Sequence, residues 1–249
     1  MTKIISEIGW NHMGDMERAK DMISSSKENG ADFVKFQTWS VKRLKNGPWD
    51  EDGRLEIYNE AELTKDQHFE LYEHSNKVGI DFFSSVFSVE DAKLLSEVQD
   101  KFVKIASFDS DNLDLLGYCN DNFETMFIST GTKTVDEVKN SVNKENIPDA
   151  NVVVLHCISS YPLEPKNANL PRINSLSDLS KSVGFSVEKH FTLDQSLPGR
   201  DNKFAILPHE LKDLSDYIKM REESKTSHGD GYLEVEEESR KWMTGRFNG

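Results

Sequence analysis

Two charged residues interrupt otherwise apolar segments, and their chemistry suits an anion. Lys35 lies in DFVKFQT and Lys104 in KFVKIAS. A lysine buried without a partner costs several kcal/mol, so each needs a carboxylate, a bound anion or a path to solvent at a strand end. Hydroxyl side chains stand at matching places in neighbouring apolar segments: Ser85, Ser107, Ser129 and Thr130. Together the lysines, as point charges, and the hydroxyls, as donors, predict a site for a phosphate and a carboxylate.

The sequence Ser129-Thr130-Gly131-Thr132 adds a local feature to this set. It follows the apolar segment TMFIST and precedes a helical pattern. Backbone N–H groups at the N-terminus of a helix bind phosphate well. Taken alone, the same pattern is typical of an ordinary strand-to-helix turn with an N-cap residue.

Glu188 and His190 form a second candidate cluster in VEKHF. Side chains alternate between the faces of a strand, so these two share a face and Lys189 points away. A His/Glu pair could bind a divalent metal, although three or more ligands are usual. His12 and His156 are further candidates, and a structural, hydrogen-bonded role is the alternative for each histidine. His156 and Cys157 are adjacent, so they point to opposite faces and cannot act together as base and nucleophile.

These residues lie on a regular succession of predicted strands and helices. Apolar runs or period-2 alternation predict strands at 3–9, 32–38, 81–87, 101–107, 125–130, 151–157 and 183–191. The 3.6-residue periodicity predicts helices at 15–28, 65–78, 89–99, 112–121, 134–144, 173–181 and near 208–223. Thr64 and Ser88 are predicted N-caps, and Gly30 and Gly79 are predicted helix stops.

Strand and helix therefore alternate, which indicates a parallel sheet with helical crossovers. Polar residues end many of the strands, as expected for a (β/α) TIM-type barrel with its site at the mouth. An open doubly wound sheet would concentrate them at one switch point, and its nucleotide fingerprint GxGxxG is absent. We therefore predict one barrel domain over residues 1–249. The polar segment 40–62 is predicted to be either a lid above the mouth or a solvated insertion.

Composition excludes several other classes of protein. The formal net charge of −14 argues against non-specific binding of nucleic acid. No apolar run is long enough to span a membrane, and the N-terminus lacks the apolar core of a signal peptide. The chain has only two cysteines, so we expect no disulfide framework and a cytoplasmic location.

A set of short motifs resembles the N-acetylneuraminate (sialic acid) synthase family, which includes legionaminate, pseudaminate and spore-coat polysaccharide relatives. In chain order, the motifs are SEIGWNHMGD, GADFVKFQT, KIAS, STG, LHCISSYP, VEKHFTLD and PGRD. The resemblance implies a metal-dependent condensation of phosphoenolpyruvate with an N-acetylmannosamine-like amino sugar. The products would be a nonulosonic acid and phosphate, and the metal, Mn²⁺ or Mg²⁺, would polarise the sugar aldehyde.

Matching motifs also imply roles for single residues. Phosphoenolpyruvate contacts are implied for Lys35, Ser85, Lys104, Ser107, Ser129, Ser159 and Ser186. Sugar contacts are implied for Gln37, Tyr161, Glu188 and Asp201. The resemblance makes Glu7 and Asp109 catalytic, and Asp109 stands in place of a glutamate that is one methylene longer. His190 matches one of two metal histidines.

The sequence departs from the family pattern at one junction. Ser186 is joined directly to Val187, whereas the family has an Asp-His pair and a crossover helix before the EKHF strand. Parallel neighbours need a crossover of roughly a dozen residues, so we predict that VGFSVEKHF is one strand or that a βα unit is missing. The second metal histidine would be lost with that unit, which would weaken metal binding. The C-terminal antifreeze-like domain of many members is also expected to be absent.

Three functional hypotheses remain open at this stage. The first is an active synthase with an altered metal site, completed by His12, His156 or water. The second is a catalytically impaired relative that binds phosphoenolpyruvate or has an assembly role. Under either hypothesis, a barrel that lacks a βα unit would expose a hydrophobic strip, which a partner subunit in a homodimer could cover. The third is an aldolase in which Lys35 or Lys104 forms a Schiff base.

Overall fold

A computed structural model describes residues 2–148, 151–180 and 186–247 of the chain. The described part contains strands at all seven predicted places. Residues 183–185 of the last predicted strand lie outside the described ranges. They are β1 (Lys3–Gly9), β2 (Phe33–Thr38), β3 (Asp81–Val86), β4 (Phe102–Ile105), β5 (Thr125–Ser129), β6 (Asn151–Leu155) and β7 (Ser186–His190).

The strands form one parallel sheet in the order β6-β5-β4-β3-β2-β1-β7. Every neighbouring pair is parallel, which confirms the α/β class and the parallel sheet predicted from the alternation. The last strand, β7, pairs with the first strand, β1. Glu7 of β1 therefore lies opposite Lys35 of β2 on one side and His190 of β7 on the other. Among the described residues, β6 and β7 are the two edges of the sheet.

The sheet is strongly curled, as contacts across its inner face require. Lys104 on β4 and Glu188 on β7 are four strand spacings apart, or about 19 Å in a flat sheet. Their side chains nevertheless meet at 2.7 Å. The rings of Phe33 on β2 and Phe127 on β5, three spacings apart, have centroids only 5.9 Å from each other. The inner face is therefore concave and brings distant strands together.

Both faces of the sheet are buried, as expected when helices cover a parallel sheet. The outer face packs on the helices through side chains such as Ile4, Val34 and Phe82. The inner face holds a separate cluster made of Ile5, Phe33, Phe83, Phe127, Val153 and Leu155. Phenylalanines dominate this cluster, which closes the bottom of the concave face and leaves polar positions above it.

The described ranges contain nine helices, and all except α2 and α9 lie at predicted places. They are α1 (Met16–Glu28), α2 (Arg54–Ala61), α3 (Lys65–Val78), α4 (Val89–Val98), α5 (Leu113–Asn122), α6 (Val135–Ser141), α7 (Arg172–Leu176), α8 (Pro208–Ser224) and α9 (Glu237–Met243). Thr64 and Ser88 cap α3 and α4 by accepting hydrogen bonds from backbone N–H groups, which confirms them as N-caps. Gly30 and Gly79 have positive φ just after α1 and α3, which confirms both as helix stops.

Three helices differ from the sequence-based prediction, and one of them, α9, lies in the charged tail, where no helix was predicted. The polar segment 40–62 has no clear apolar period but contains α2, which begins after Gly53 and buries only Ala61. The predicted helix 173–181 is instead the short α7 followed by a 3₁₀ turn at Ser177–Leu179. Within the described ranges, no helix is both long and apolar enough to cross a membrane.

Candidate active site

The polar strand residues of the sequence lie in one layer above the phenylalanine cluster. Alternation along β2 points Phe33, Lys35 and Gln37 to the inner face, in rising order towards the carboxyl ends of the strands, here called the mouth. Lys35 lies opposite Glu7 in register, and Ser85 lies opposite Gln37 and Lys104. Parallel register therefore brings residues from different strands to the same height.

Lys35 is the centre of a buried hydrogen-bonded network. Its side chain is only 3% exposed and contacts the Glu7 carboxylate, while its Nζ lies 3.5 Å from Glu188 Oε1. The same Nζ donates a hydrogen bond of 2.7 Å to Ser85 Oγ, and Gln37 Nε2 donates one of 2.7 Å to Glu7 Oε1. Burial opposes the charged amine, but Glu7 and Glu188 outweigh it, so the pKa of Lys35 is raised and the amine is protonated.

Glu188 connects the two lysines. Lys104 Nζ donates to Glu188 Oε2 over 2.7 Å. Burial opposes ionisation of Glu188, but Lys104 and Lys35 outweigh it and lower its pKa to about 2. Glu7 behaves in the opposite way, because burial raises the pKa of its carboxyl more than Lys35 lowers it. The layer thus contains two lysines, one firmly ionised carboxylate and one carboxyl that takes up a proton more readily than usual.

A second group of polar atoms surrounds the turn after β5. The Gly131 N–H donates to Ser107 Oγ over 3.1 Å, and Ser107 Oγ lies 3.1 Å from Cys157 Sγ. A β-carbon at Gly131 would lie 2.4 Å from Ser159 Oγ and 2.9 Å from Ser107 Oγ, so any larger residue would displace these hydroxyls. The turn is followed by Thr134 as the N-cap of α6, so residues 129–132 do not themselves cap the helix. Three loops therefore place small donors around one glycine.

Arg172 holds this turn in place and was not singled out from the sequence. Its Nη2 donates to the Lys133 carbonyl over 2.6 Å, and its Nη1 to the Thr130 carbonyl over 3.2 Å. No local sequence pattern predicts this role for Arg172, because its partners are backbone carbonyls 42 and 39 residues earlier in the chain.

Aromatic rings enclose His190 at the mouth. The Tyr161 ring stacks on Phe204 at 5.7 Å, and both rings meet the His190 imidazole edge-on at 5.4 Å. His190 Nδ1 is buried, has no hydrogen-bond partner among the described residues, and lies 3.7 Å from Asp201 Oδ2. Tyr161, Asp201 and His190, which motif matching grouped with the sugar and the metal, are therefore close neighbours.

The remaining predicted residues lie at different distances from this centre. Ser129 is buried at the end of β5. Asp109 lies in a 3₁₀ turn after β4, and burial, followed by Asp111, raises the pKa of its carboxyl. Ser186 begins β7 opposite Lys3, at the amino end of the sheet and therefore away from the mouth. The structure thus gathers most of the predicted set and leaves Ser186 apart.

The described residues do not make a complete metal site. No group of three His, Cys, Asp or Glu side chains in the described ranges is arranged to hold an ion, and His190 with Asp201 provides only two donors. His12 packs on Phe36 with ring centroids 5.7 Å apart, and His156 Nε2 contacts the Ala168 carbonyl at 2.8 Å. Both histidines therefore have other partners within the described residues, and neither serves there as a second ligand beside His190.

His12 is expected to make the fold sensitive to acid. Burial, followed by Arg18, lowers its pKa from 6.5 to about 4. Between these values the unfolded chain binds a proton that the folded chain does not, so stability falls as the pH falls. The His12→Asn variant should lose about 2 kcal/mol of the difference in unfolding free energy between pH 7 and pH 5. Urea unfolding at both pH values measures this difference.

His209→Asn provides the matched control, because His209 is an exposed residue of α8. This control should retain the pH dependence of the unmodified protein. An unchanged pH dependence in the His12 variant would show that His12 is already protonated in the fold or is neutral in both states.

The model of the NeuB family matches residues 22–187 and 186–230. This chain belongs to the NeuB family. The two matched stretches together cover most of the chain and meet at residues 186 and 187.

Proteins similar to this chain include synthases of N,N'-diacetyllegionaminic acid and of N-acetylneuraminate-9-phosphate. The N,N'-diacetyllegionaminic acid synthase of Campylobacter jejuni is 32% identical over 274 aligned positions, covering 96% of this chain and 81% of that protein. The N-acetylneuraminate-9-phosphate synthase of Drosophila melanogaster is 31% identical, covering 86% and 66%. The crystal structure of the sialic acid synthetase from Leptospira borgpetersenii superposes with a TM-score of 0.82 at 28% identity, covering 98% of this chain and 92% of that one.

Proposed function

We propose that this chain condenses phosphoenolpyruvate with an N-acyl amino sugar to give a nonulosonic acid and phosphate. C3 of phosphoenolpyruvate would bond to the sugar aldehyde carbon, whose oxygen takes up a proton. Water would then add at C2 and lose a proton, and phosphate would leave as the C2–O bond breaks. This is the reaction that the family resemblance implies.

The observation that carries the proposal is the pair of buried lysines on one concave face. Lys35 and Lys104 are each only about 3–4% exposed along their side chains and meet at Glu188. Such cations suit the carboxylate and phosphate of an enol phosphate. Ser85, Ser107 and Ser129 lie on the same face, and the Gly131 turn supplies small donors. Ser159 belongs to this donor group. Ser186 is left out of the proposed contacts, because it begins β7 at the amino end of the sheet, away from the mouth.

Glu7 is the proposed proton carrier of the site. Burial raises the pKa of its carboxyl, and Lys35 contacts it directly. A raised pKa makes a carboxyl more able to carry a proton that it can release to an aldehyde oxygen. Asp109 is the second candidate, since burial also raises its pKa. Gln37, Tyr161, Glu188 and Asp201 are the proposed sugar contacts at the mouth.

The Schiff-base alternative fits this geometry poorly. A lysine must lose its proton before its amine can attack a carbonyl carbon. The pKa of Lys35 is raised because two carboxylates surround it, and Lys104 is paired with Glu188 at 2.7 Å. The surroundings of Lys35 therefore favour its cationic form, and Lys104 is held in an ion pair.

We also propose that the chain is a (β/α) barrel that lacks one βα unit at residues 186–187. Three observations support this. The described sheet has seven strands, whereas such a barrel has eight. The two stretches that match the family meet at this junction. The alignment with the Campylobacter relative spans 274 positions, more than the 249 residues of this chain, so that relative has residues with no counterpart here.

The incomplete donor set around His190 favours a second candidate function. A chain that keeps the lysines but lacks a second metal histidine would bind phosphoenolpyruvate without turning it over. The divalent metal expected from the resemblance would then be held by His190 and Asp201 alone, and weakly. No step of the proposed reaction is assigned to the metal, because the described residues do not form its site.

Phosphate release from phosphoenolpyruvate, with N-acetylmannosamine and with or without Mn²⁺, separates these functions. Sugar-dependent release with formation of a nonulosonic acid is expected for a synthase. Protection of Cys157 from iodoacetamide measures binding without turnover, because this thiol lies 3.1 Å from Ser107 Oγ. Cys119 is the internal control: it is buried, and burial raises its pKa to about 12.

The outcomes distinguish the two candidates. Protection of Cys157 without phosphate release identifies a chain that only binds phosphoenolpyruvate. Failure of phosphoenolpyruvate both to protect Cys157 and to release phosphate would overturn the proposed function and its alternative together.

A further inference from the structure

The Gly131 turn, residues 130–133, has a backbone conformation that its residue types do not favour. The Lys133 N–H donates to the Thr130 carbonyl over 3.4 Å and closes the turn. Thr132 has a φ of 65°, in the left-handed region that a β-branched residue rarely adopts. A residue keeps such a conformation only when surrounding contacts hold it. The turn therefore depends on contacts from outside, and the described residues supply them on two sides.

One side of the turn is held by the ends of neighbouring strands. The Thr130 N–H and hydroxyl both donate to the Leu155 carbonyl, over 3.1 and 3.2 Å. The Gly131 N–H donates to Ser107 Oγ over 3.1 Å. This bond occupies a lone pair of Ser107 and leaves the hydroxyl proton to be donated to Cys157 Sγ or to a bound anion. The direction of the Gly131 N–H therefore sets how Ser107 can serve the anion site.

Arg172 holds the other side of the turn. Its guanidinium donates to the carbonyls of Thr130 and Lys133, which are the first and last residues of the turn. Its Nη1 also lies 3.3 Å from Thr130 Oγ1. A planar guanidinium presents its N–H donors in fixed directions, so it can fix two carbonyls relative to each other. A lysine ammonium is a point charge on a flexible stem and lacks this geometry.

His156 in turn directs Arg172. Its Nε2 lies 2.8 Å from the Ala168 carbonyl, and a carbonyl only accepts, so Nε2 carries the ring proton. The other ring nitrogen, Nδ1, is then an acceptor, and Arg172 Nη1 donates to it over 3.4 Å. Every acceptor of Arg172 in the described ranges is therefore neutral: two carbonyls, a hydroxyl and this imidazole. Directed hydrogen bonds, rather than an ion pair, join Arg172 to the turn.

Resting on the proposed function, we propose that Arg172 and His156 form a clamp that positions the Gly131 turn for binding phosphoenolpyruvate. The clamp fixes both end carbonyls of the turn, which keeps the Gly131 N–H on Ser107 and the Ser107 hydroxyl proton available to the ligand. Arg172 is a positioning residue in this arrangement and does not touch the ligand. The stretch between β6 and the junction at residues 186–187, which carries Arg172 on α7, thereby serves the anion site.

Arg172→Lys tests the clamp, because it keeps the positive charge and removes the fixed pair of donors. In calorimetric titration, phosphoenolpyruvate should bind this variant about 10- to 100-fold more weakly, the loss expected when one hydrogen bond to a charged group is misplaced. Arg221→Lys is the matched control, since the Arg221 side chain on α8 is 65% exposed, and it should bind as the unmodified protein does. Urea unfolding verifies that each titrated variant is folded.

Two variants of His156 separate positioning from packing. His156→Leu keeps much of the volume but has no acceptor, and it should weaken the binding of phosphoenolpyruvate by about threefold to tenfold. His156→Asn is smaller, but its amide oxygen can accept from Arg172 near the place of Nδ1, so it should bind more tightly than His156→Leu. A role in packing alone predicts the opposite order, because leucine fills the space of the imidazole better.

The reaction of Cys157 with iodoacetamide in the absence of ligand reports the turn itself, because Gly131 packs against this thiol. Arg172→Lys should speed the reaction, and Arg221→Lys should not. Unchanged affinity of Arg172→Lys for phosphoenolpyruvate, or a His156→Asn variant that binds no better than His156→Leu, would overturn the clamp and leave the proposed function standing. Weaker binding to Arg172→Lys with unchanged Cys157 reactivity would also overturn it, since Arg172 would then act on the ligand directly. An unmodified protein that neither binds phosphoenolpyruvate nor releases phosphate would overturn the proposed function, and the clamp with it.

Discussion

Lys35→Met is expected to lower the free energy of unfolding by about 3–5 kcal/mol and to abolish binding of phosphoenolpyruvate. Lys35 contacts Glu7, and both side chains are only 3% exposed. Removing the amine leaves Glu7 buried without its cation, and leaves Glu188 with Lys104 alone. Methionine has a similar length, so the loss reflects charge and hydrogen bonding more than volume. Urea unfolding and calorimetric titration of phosphoenolpyruvate measure the two effects.

The pH dependence of this variant distinguishes a lost ion pair from a packing defect. Without Lys35, the pKa of Glu7 in the fold should rise further above its ordinary value of 4.5. The folded chain then binds the proton more readily than the unfolded chain, so stability falls as the pH rises through this range. The deficit should therefore shrink in acid. A deficit that does not change with pH would contradict the assignment.

Two further variants complete the test of the buried network. Lys3→Met breaks the Lys3–Asp32 pair of 2.6 Å, in which the lysine side chain is 51% exposed, and should cost less than about 1 kcal/mol. The double variant Glu7→Gln, Lys35→Met removes both charges and should be more stable than Lys35→Met alone. If Lys35→Met is no less stable than Lys3→Met, the network contributes little to the fold.

Gly131→Ala is expected to weaken the binding of phosphoenolpyruvate by about 10- to 100-fold, the loss of one hydrogen bond to a charged group. The added β-carbon would approach three side-chain atoms at once: Ser159 Oγ at 2.4 Å, Ser107 Oγ at 2.9 Å and Cys157 Sγ at 3.1 Å. Ser107 also accepts the Gly131 N–H, so displacement of either residue changes the donors on the turn. Calorimetric titration of phosphoenolpyruvate measures the loss.

Gly117→Ala is the control for this substitution. Gly117 lies within α5 and has open space where a β-carbon would be. Alanine should stabilise that helix by about 0.5–1 kcal/mol and leave binding unchanged. Equal affinities of the two alanine variants for phosphoenolpyruvate would contradict a role of the Gly131 turn in the anion site.

The network explains how two lysines remain stable on an apolar face. Lys35 and Lys104 face Glu7 and Glu188, so the four charges balance when Glu7 is ionised. An incoming trianionic or dianionic ligand would add negative charge, and Glu7, with its raised pKa, is the group most able to take up a compensating proton. Binding and proton uptake are therefore expected to be linked at Glu7.

The sequence by itself determined the parts of this protein that depend on neighbouring residues. Alternation within each apolar segment placed all seven strands, and it assigned Lys35 and Gln37 to the same face. Thr64, Ser88 and Gly79 act on residues three or four positions away, so the helix ends they mark were also readable. The α/β class followed from the order of these elements.

Only the tertiary structure decided which polar groups meet. Lys104 and Glu188 are 84 residues apart, and their contact exists because the sheet curls and β7 returns to β1. The lack of space beside Gly131 depends on Ser107 and Ser159, which two other loops supply. The indole N–H of Trp39 finds its acceptor in the Tyr58 carbonyl on α2, 19 residues away. Such contacts depend on the curvature and register of the whole sheet, which no local periodicity encodes.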